Sequence, residues 1–268
     1  MLKDITLGQY FPGNSLIHRL DPRSKILAVL IYIVALFLAK NALSYALLAA
    51  ALLVCVAISR VKPAALFKGL KPLLFIVVFT ALLNLFYIRT GEVLFSWWKL
   101  VITVDGVQTA IFMVLRIVLL VSSTFMLTYT TAPMALTDGL ESLLSPLKVF
   151  HAPVHEFAMM MSIAMRFIPT LVEEADKIMN AQKARGADFE NGRLTERAKA
   201  LLPLLIPLFV SAFRRADELA VAMESRCYHG GEGRTRLKQL KMAACDWLFL
   251  LLSAALVVGV ILLKRVTL

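Results

Sequence analysis

Two arginines that follow long stretches of helical periodicity are the residues of this chain best suited to bind a charged partner. Arg185 stands in Ala184-Arg185-Gly186 and Arg226 in Ser225-Arg226-Cys227. A guanidinium offers five donors in a planar fork that matches a carboxylate, and small neighbours let the end of a helix enter a groove. The helix macrodipole also favours a cation at a carboxyl end, so one such ending would be unremarkable. Two matched endings predict docking to an acidic cytoplasmic partner with two similar grooves, and hence to a dimer.

The motifs of the common catalytic and metal-binding sites are missing from the sequence. It contains no GxxxxGKS or GxxxxGKT phosphate loop, no HExxH zinc motif and no GxSxG nucleophile elbow. His151 and His155 are spaced i, i+4 but stand on either side of Pro153, and the three cysteines form no CxxC pair. These absences predict that the chain does not hydrolyse ATP by itself, has no recognisable catalytic residues and binds neither a metal nor a cofactor.

Each of the two arginines ends a predicted long amphipathic helix. Apolar residues recur at spacings of three and four over about 154–186 and again over about 193–228. At about 1.5 Å per residue each helix would be on the order of 50 Å long. Asn191-Gly192 is a turn signal, so the two helices form either a hairpin or a crossed pair. With a shorter helix at about 133–150, they make up a predicted cytoplasmic region at 132–242.

The remainder of the chain has the composition of an all-α polytopic integral membrane protein. About 59% of the residues are hydrophobic, in long runs with almost no charge. We predict a bundle of four spans in residues 1–131 and a last span in 243–268. The five spans are expected at about 26–39, 42–59, 72–88, 107–131 and 247–263.

Charge gives the predicted orientation of the spans. Basic residues before the first span and in the loop at 60–71 place both in the cytoplasm, with an external loop at 89–105. The formal net charge of +11 fits such cytoplasmic loops, and no nucleic-acid recognition motif accompanies it. The expected environment is a lipid bilayer, and nucleic acid is not an expected partner.

Arg116 is the one ionisable residue deep inside a predicted span. Burying it in lipid would be costly, so its side chain should face protein or water. It contributes either to a substrate path or to a structural hydrogen bond, with backbone or with a neighbour such as Asn84. A methionine cluster at 159–161 and Met165 is either a surface that can repack against a partner or ordinary core.

The two arginine motifs, together with Leu20-Asp21-Pro22-Arg23-Ser24-Lys25, resemble those of the EcfT family, the transmembrane coupling subunits of energy-coupling factor (ECF) transporters. The likeness covers essentially the whole chain. The second signature, at 222–228, departs from the usual Ala-Arg-Gly by having Ser225 and Cys227. Because a cysteine cannot adopt a left-handed helix end as glycine does, we expect no glycine-type turn at the end of the second helix.

The resemblance implies a mechanical role in an ABC-type importer. The long helices cross as an X beneath the membrane, and each inserts its tip into one of two ABC-type ATPases, which form a homodimer or a heterodimer and supply the ATP hydrolysis. A membrane protein called the S component captures a vitamin or other micronutrient and topples when ATP binding tilts the helices. The ATPase-coupling residues would be Ala184, Arg185, Gly186, Ser225, Arg226 and Cys227. The S component would contact Met160, Met161, Met165, Leu204 and Leu208. Such a complex lies in the plasma membrane of a prokaryote, with the amino terminus of this chain in the cytoplasm.

Two other classes of function remain open from the residues alone. A membrane-embedded enzyme could use Arg116 and Arg166 with the carboxylates of Glu173, Glu174 and Asp176, although carboxylates at this spacing are more often a solvated helix face. The other class is a stand-alone channel or scaffold. Copurification of two ATPases and a small hydrophobic protein would favour the coupling function over both.

Overall fold

The computed structural model describes residues 10–88, 90, 93–97, 100–150, 153–187, 194–230 and 239–266. Within these ranges the chain forms ten α-helices and one pair of antiparallel strands. The first seven helices are α1 (Leu16–Arg19), α2 (Pro22–Leu38), α3 (Ala42–Ser59), α4 (Pro63–Leu70), α5 (Leu74–Tyr87), α6 (Val104–Thr130) and α7 (Pro133–Leu144). The last three are α8 (Val154–Ala184), α9 (Leu194–Glu224) and α10 (Ala244–Val266). The predicted helical, polytopic membrane architecture is confirmed.

Two predicted loops contain regular structure instead. The basic loop expected at 60–71 is mostly helix α4, which begins with Pro63 at the first helical position, where proline costs no hydrogen bond. The external loop expected at 89–105 contains strands β1 (Val93–Trp97) and β2 (Leu100–Thr103), which pair antiparallel. Both strands are rich in the β-branched and aromatic residues that favour extended backbone.

Four helical segments among the described residues are long and apolar enough to cross a membrane. They are Ala42–Ser59, Pro63–Tyr87, Val104–Thr130 and Ala244–Arg265. The predicted third span at 72–88 therefore belongs to a longer segment, in which a single 3-10 turn at Lys71–Leu73 joins α4 to α5. Helix α2 has 17 residues, the lower limit of about 17 to 25 that a spanning helix needs. Its crossing of the membrane stays a prediction.

The helices fall into two compact units. One comprises residues 8–139 and 240–268, and the other includes residues 140–239. The first unit has a buried apolar core formed by α2 and its carboxyl cap, α3, α6 and α10, with Ala35, Leu36, Ala39, Tyr45, Leu48, Leu119 and Val260. The second unit contains the long helices α8 and α9.

The sequence Leu20 to Lys25 forms the amino end of α2 in the first unit. Asp21 caps the helix by accepting a hydrogen bond from the Arg23 backbone N–H at 2.9 Å. Lys25 is buried, and its Nζ donates to the backbone carbonyl of Thr130, at the end of α6, at 3.0 Å. Asp21 and Lys25 of this motif are therefore engaged inside the unit.

Candidate functional site

Helix α8 ends in a closed left-handed turn that presents Arg185. The Gly186 N–H donates to the Lys183 carbonyl at 3.0 Å, and the Ala187 N–H donates to the Gln182 carbonyl at 3.0 Å. These two bonds, with Gly186 at φ +89°, constitute a Schellman motif. Arg185 is the cap residue immediately before the left-handed position.

Helix α9 ends in the same way. The Cys227 N–H donates to the Glu224 carbonyl at 2.9 Å, the Tyr228 N–H donates to the Met223 carbonyl at 3.1 Å, and Cys227 has φ +55°. The expectation that a cysteine would prevent this turn is wrong. A left-handed conformation costs a non-glycine residue only about 1–2 kcal/mol, which the two closing hydrogen bonds can offset.

The two helix ends are equivalent in exposure as well as in backbone conformation. Arg185 and Arg226 are both exposed, and so are their neighbours Ala184, Gly186, Ser225 and Cys227. The carbonyls of the last turn are occupied by the closing hydrogen bonds, so the guanidinium groups are the polar groups best placed to meet a partner. The structure therefore presents two matched cationic tips, each on a small-residue turn.

Helices α8 and α9 run antiparallel where they touch. Arg215 Nη2 donates to Glu174 Oε2 at 2.8 Å, and the hydroxyl of Tyr228, just after α9, donates to Met159 Sδ at 3.1 Å. From the first contact to the second, the residue numbers rise from 215 to 228 along α9 and fall from 174 to 159 along α8. Arg226 therefore lies near the start of α8, on the opposite side of Glu174 from Arg185. The Asn191-Gly192 turn predicted to join the helices lies outside the described residues.

A hydrogen-bonded cluster lies next to the second tip, and the sequence did not predict it. His155 Nδ1 lies 3.1 Å from Glu141 Oε1, and His155 Nε2 lies 3.5 Å from the hydroxyl of Tyr228. Glu141, from the end of α7, is buried. We call Glu141, His155, Met159 and Tyr228 the tyrosine cluster. Because Tyr228 follows Arg226 by two positions, these contacts hold the segment that carries the second tip. The i, i+4 spacing of His155 with His151, which lies outside the described residues, was the nearest signal.

The residues predicted to contact a membrane partner differ in exposure. Met160 and Met161 are exposed, at 56% and 43%, whereas Met165 and Leu208 are half-buried. Leu204 is only 5% exposed, so its side chain is the least accessible of the five. Other apolar residues of α9 that were not predicted to contact this partner are exposed, among them Ile206, Phe209, Val210 and Phe213.

Arg116 makes structural contacts in the first unit. Its Nε donates to the hydroxyl of Tyr45 at 3.1 Å, and its Nη2 donates to the carbonyl of Ala39 at 3.4 Å. Its guanidinium carbon lies 5.7 Å from the centre of the Phe37 ring. Asn84, the neighbour proposed from the sequence, instead donates to the Thr80 carbonyl of its own helix. Of the two roles left open, these contacts favour the structural one.

Metal-binding clusters are not found among the described residues. No group of three or more His, Cys, Asp or Glu side chains there is arranged to hold a metal ion. The carboxylates considered for an enzyme, Glu173, Glu174 and Asp176, are spread over one turn of α8, and Glu174 is paired with Arg215.

Comparison with known proteins gives matches over nearly the full length of the chain. The family model CbiQ, described as a cobalt transport protein, matches residues 13–237. A protein of Ruminiclostridium cellulolyticum named energy-coupling factor transporter transmembrane protein EcfT is 52% identical over 266 residues, or 99% of each chain. Proteins of the same name from Listeria innocua and Bacillus subtilis are 47% identical over 265 residues and 50% identical over 246 residues. These alignments cover 99% and 92% of this chain, and 100% and 93% of the relatives.

Proposed function

The chain belongs to the CbiQ/EcfT family of energy-coupling transmembrane proteins, and on that premise we propose that it transmits the motion of two cytoplasmic ABC-type ATPases to a substrate-binding S component. The S component would carry a vitamin or another micronutrient. The complex would lie in the plasma membrane of a prokaryote, with the amino terminus of this chain in the cytoplasm. This chain would be a non-catalytic subunit, because the ATPases hydrolyse the ATP.

The matched ends of α8 and α9 are the observation that carries this proposal. Two exposed arginines occupy the same cap position before the same left-handed turn. A dimeric ATPase offers two equivalent grooves, and two equivalent arginine tips match such a partner. Small side chains at Ala184 and Ser225 leave the guanidinium groups free to enter a narrow, acidic groove.

The apolar surfaces of the same two helices support an S component as the second partner. Met160 and Met161 of α8 are exposed, as are Phe209 and Phe213 of α9. Exposed apolar side chains of this size mark either a partner surface or a lipid-facing surface. Methionines adapt to changing neighbours, which suits a partner that must move during each cycle.

Charge reversal at the tips tests the ATPase assignment. The full chain is expressed with its transporter partners, and the ATPase subunits that copurify in mild detergent are quantified for Arg185→Glu, Arg226→Glu and the double variant. Arg166→Glu is the matched control, because Arg166 is exposed on α8 away from both tips. Replacing a buried guanidinium–carboxylate contact by a like-charge contact costs several kcal/mol of binding free energy.

The expected result is reduced ATPase recovery for each single reversal, none for the double reversal and normal recovery for Arg166→Glu. Normal assembly and ATP-driven uptake with both single reversals would show that the tips do not dock. Failure of the unchanged chain to retain any ATPase would overturn the proposed function itself.

A further inference from the structure

One ion pair joins α8 and α9 at equivalent positions along the two helices. Arg215 Nη2 donates to Glu174 Oε2 at 2.8 Å. Positions 174 and 185 are 11 residues apart, and so are positions 215 and 226. At about 1.5 Å per residue, each arginine tip stands about 16 Å beyond the ion pair along its own helix.

From this ion pair, the segment 174–185 of α8 and the segment 215–226 of α9 extend in opposite directions. Tyr228, two residues beyond Arg226, contacts Met159 near the start of α8. Arg185 lies at the other end of α8, beyond Glu174. The ion pair thus lies midway between the two tips. A shift of one helix along the other would move one tip relative to the ATPase groove that it is proposed to enter.

Around the ion pair the packing of α8 against α9 is half-buried rather than fully buried. The buried residues of α8 are Val154 and Ala158, both in its first two turns and far from Glu174. Beside the ion pair a surface recess is lined by Phe167 of α8 and by Ser211, Arg214, Arg215, Glu218 and Leu219 of α9. The side chains of Glu174 and Arg215 are themselves 26% and 34% exposed. The ion pair is therefore a directional, charge-assisted contact in a half-buried part of the helix pair, beside apolar side chains such as Leu219 that do not by themselves specify one register.

We propose that Glu174 and Arg215 are positioning residues that set the register of α8 against α9, so that both arginine tips reach their ATPase grooves together. This proposal rests on the proposed coupling function. Displacement by one helical turn would move a tip by about 5.4 Å, roughly the reach of a side chain. One arginine would then miss its groove while the other remained seated.

Binding of the ATPase dimer to charge-swapped variants tests the register pair. The ATPase dimer that copurifies with the unchanged chain is purified, and its dissociation constant is measured with Glu174→Arg, Arg215→Glu and the double variant in nanodiscs. Glu173→Arg and Arg214→Glu are matched controls, because both residues are exposed and adjacent to the pair. Thermal unfolding of the same variants without ATPase provides a second, independent double-mutant cycle.

Simultaneous seating of two tips strengthens binding well beyond that of either one. Each single reversal is therefore expected to weaken ATPase binding roughly tenfold or more, whereas the double charge swap restores most of the affinity and the controls stay near the unchanged value.

A double variant that binds no better than the single variants would overturn the register pair, as would single variants that bind like their controls. If the thermal cycle shows coupling but ATPase binding does not change, the pair is merely structural and the proposal is wrong. Should the unchanged chain bind no ATPase, the proposed function fails instead, and the thermal cycle still decides whether the two side chains interact.

Discussion

Asp246, in the first turn of α10, accepts a hydrogen bond from the hydroxyl of Ser24, in the first turn of α2, at 2.8 Å. The same carboxylate accepts from the Asp21 backbone N–H at 2.8 Å and from the Ala243 backbone N–H at 2.8 Å. One buried side chain therefore joins the amino ends of two helices that are 222 positions apart in sequence. The motif from Leu20 to Lys25 uses its polar groups to hold this unit together.

Replacement of Asp246 by alanine should destabilise the protein severely. The change removes a 2% exposed carboxylate and leaves the Asp21 backbone N–H without its acceptor, while the Ser24 hydroxyl keeps only the Asp21 carbonyl at 2.7 Å. The expected loss is about 3 kcal/mol in the free energy of unfolding, measured by thermal or chemical unfolding in detergent. Asp105→Ala is the control, since Asp105 is exposed in the first turn of α6. Equal losses for the two variants would show that the carboxylate does not join the helices.

Arg116→Ala should lower stability without changing the apparent affinity for transported substrate. The variant loses the hydrogen bonds to the Tyr45 hydroxyl and to the carbonyl of Ala39, a fully buried residue. We expect a loss of about 2 kcal/mol in unfolding free energy and an unchanged KM for uptake. A double-mutant cycle with Tyr45→Phe should be non-additive because the two side chains share one contact. A raised KM at normal stability would place Arg116 in a substrate path instead.

The left-handed positions of the two tips should respond in opposite ways to substitution. Gly186→Ala places a side chain at φ +89°, at an expected cost of about 1 kcal/mol. Cys227→Gly removes comparable strain at φ +55°, partly offset by the greater freedom of glycine in the unfolded chain. Amide hydrogen exchange at Ala187 and Tyr228, whose N–H groups close the two turns, measures both effects. Faster exchange is expected in the first variant and equal or slower exchange in the second; the reverse order would contradict the shared turn.

Local patterns were enough to predict the long helices and the residues at their ends. The spacing of apolar residues over 154–186 and 193–228 predicts helices that the structure gives as α8 and α9. The positions of Arg185 and Arg226 follow directly from where that periodicity stops. The proposed function came from the resemblance to a known family, because nothing in the periodicity points to an ATPase partner.

Contacts between distant residues could not be predicted in the same way. Glu174 is one of several carboxylates on α8, and only the fold shows that Arg215 reaches it. Asn84 was a reasonable partner for Arg116 by polarity, but it donates within its own helix. The turn at Cys227 was misjudged because propensity at one position was weighed without the hydrogen bonds that close the turn.

Tyr228→Phe should loosen the second tip while leaving the first unchanged. The variant removes the hydroxyl that donates to Met159 Sδ at 3.1 Å and lies 3.5 Å from His155 Nε2. Since the aromatic ring is retained, we expect a loss of only about 1 kcal/mol, confined to the turn that presents Arg226. Hydrogen exchange should therefore accelerate at the Arg226 and Cys227 amides but not at Arg185.

His155→Ala separates the tyrosine cluster from a general effect of losing a hydroxyl. Glu141 holds the imidazole at 3.1 Å, so removing the ring should itself accelerate exchange at the second tip. If the two side chains act through one contact, the double variant Tyr228→Phe/His155→Ala will exchange little faster than the worse single variant. Tyr87→Phe, at an 85% exposed position, provides the hydroxyl control. If the accelerations of hydrogen exchange in the two single variants add in the double variant, or if both tips respond equally, Tyr228 does not position Arg226. The order of the segment next to the second tip would then need another explanation.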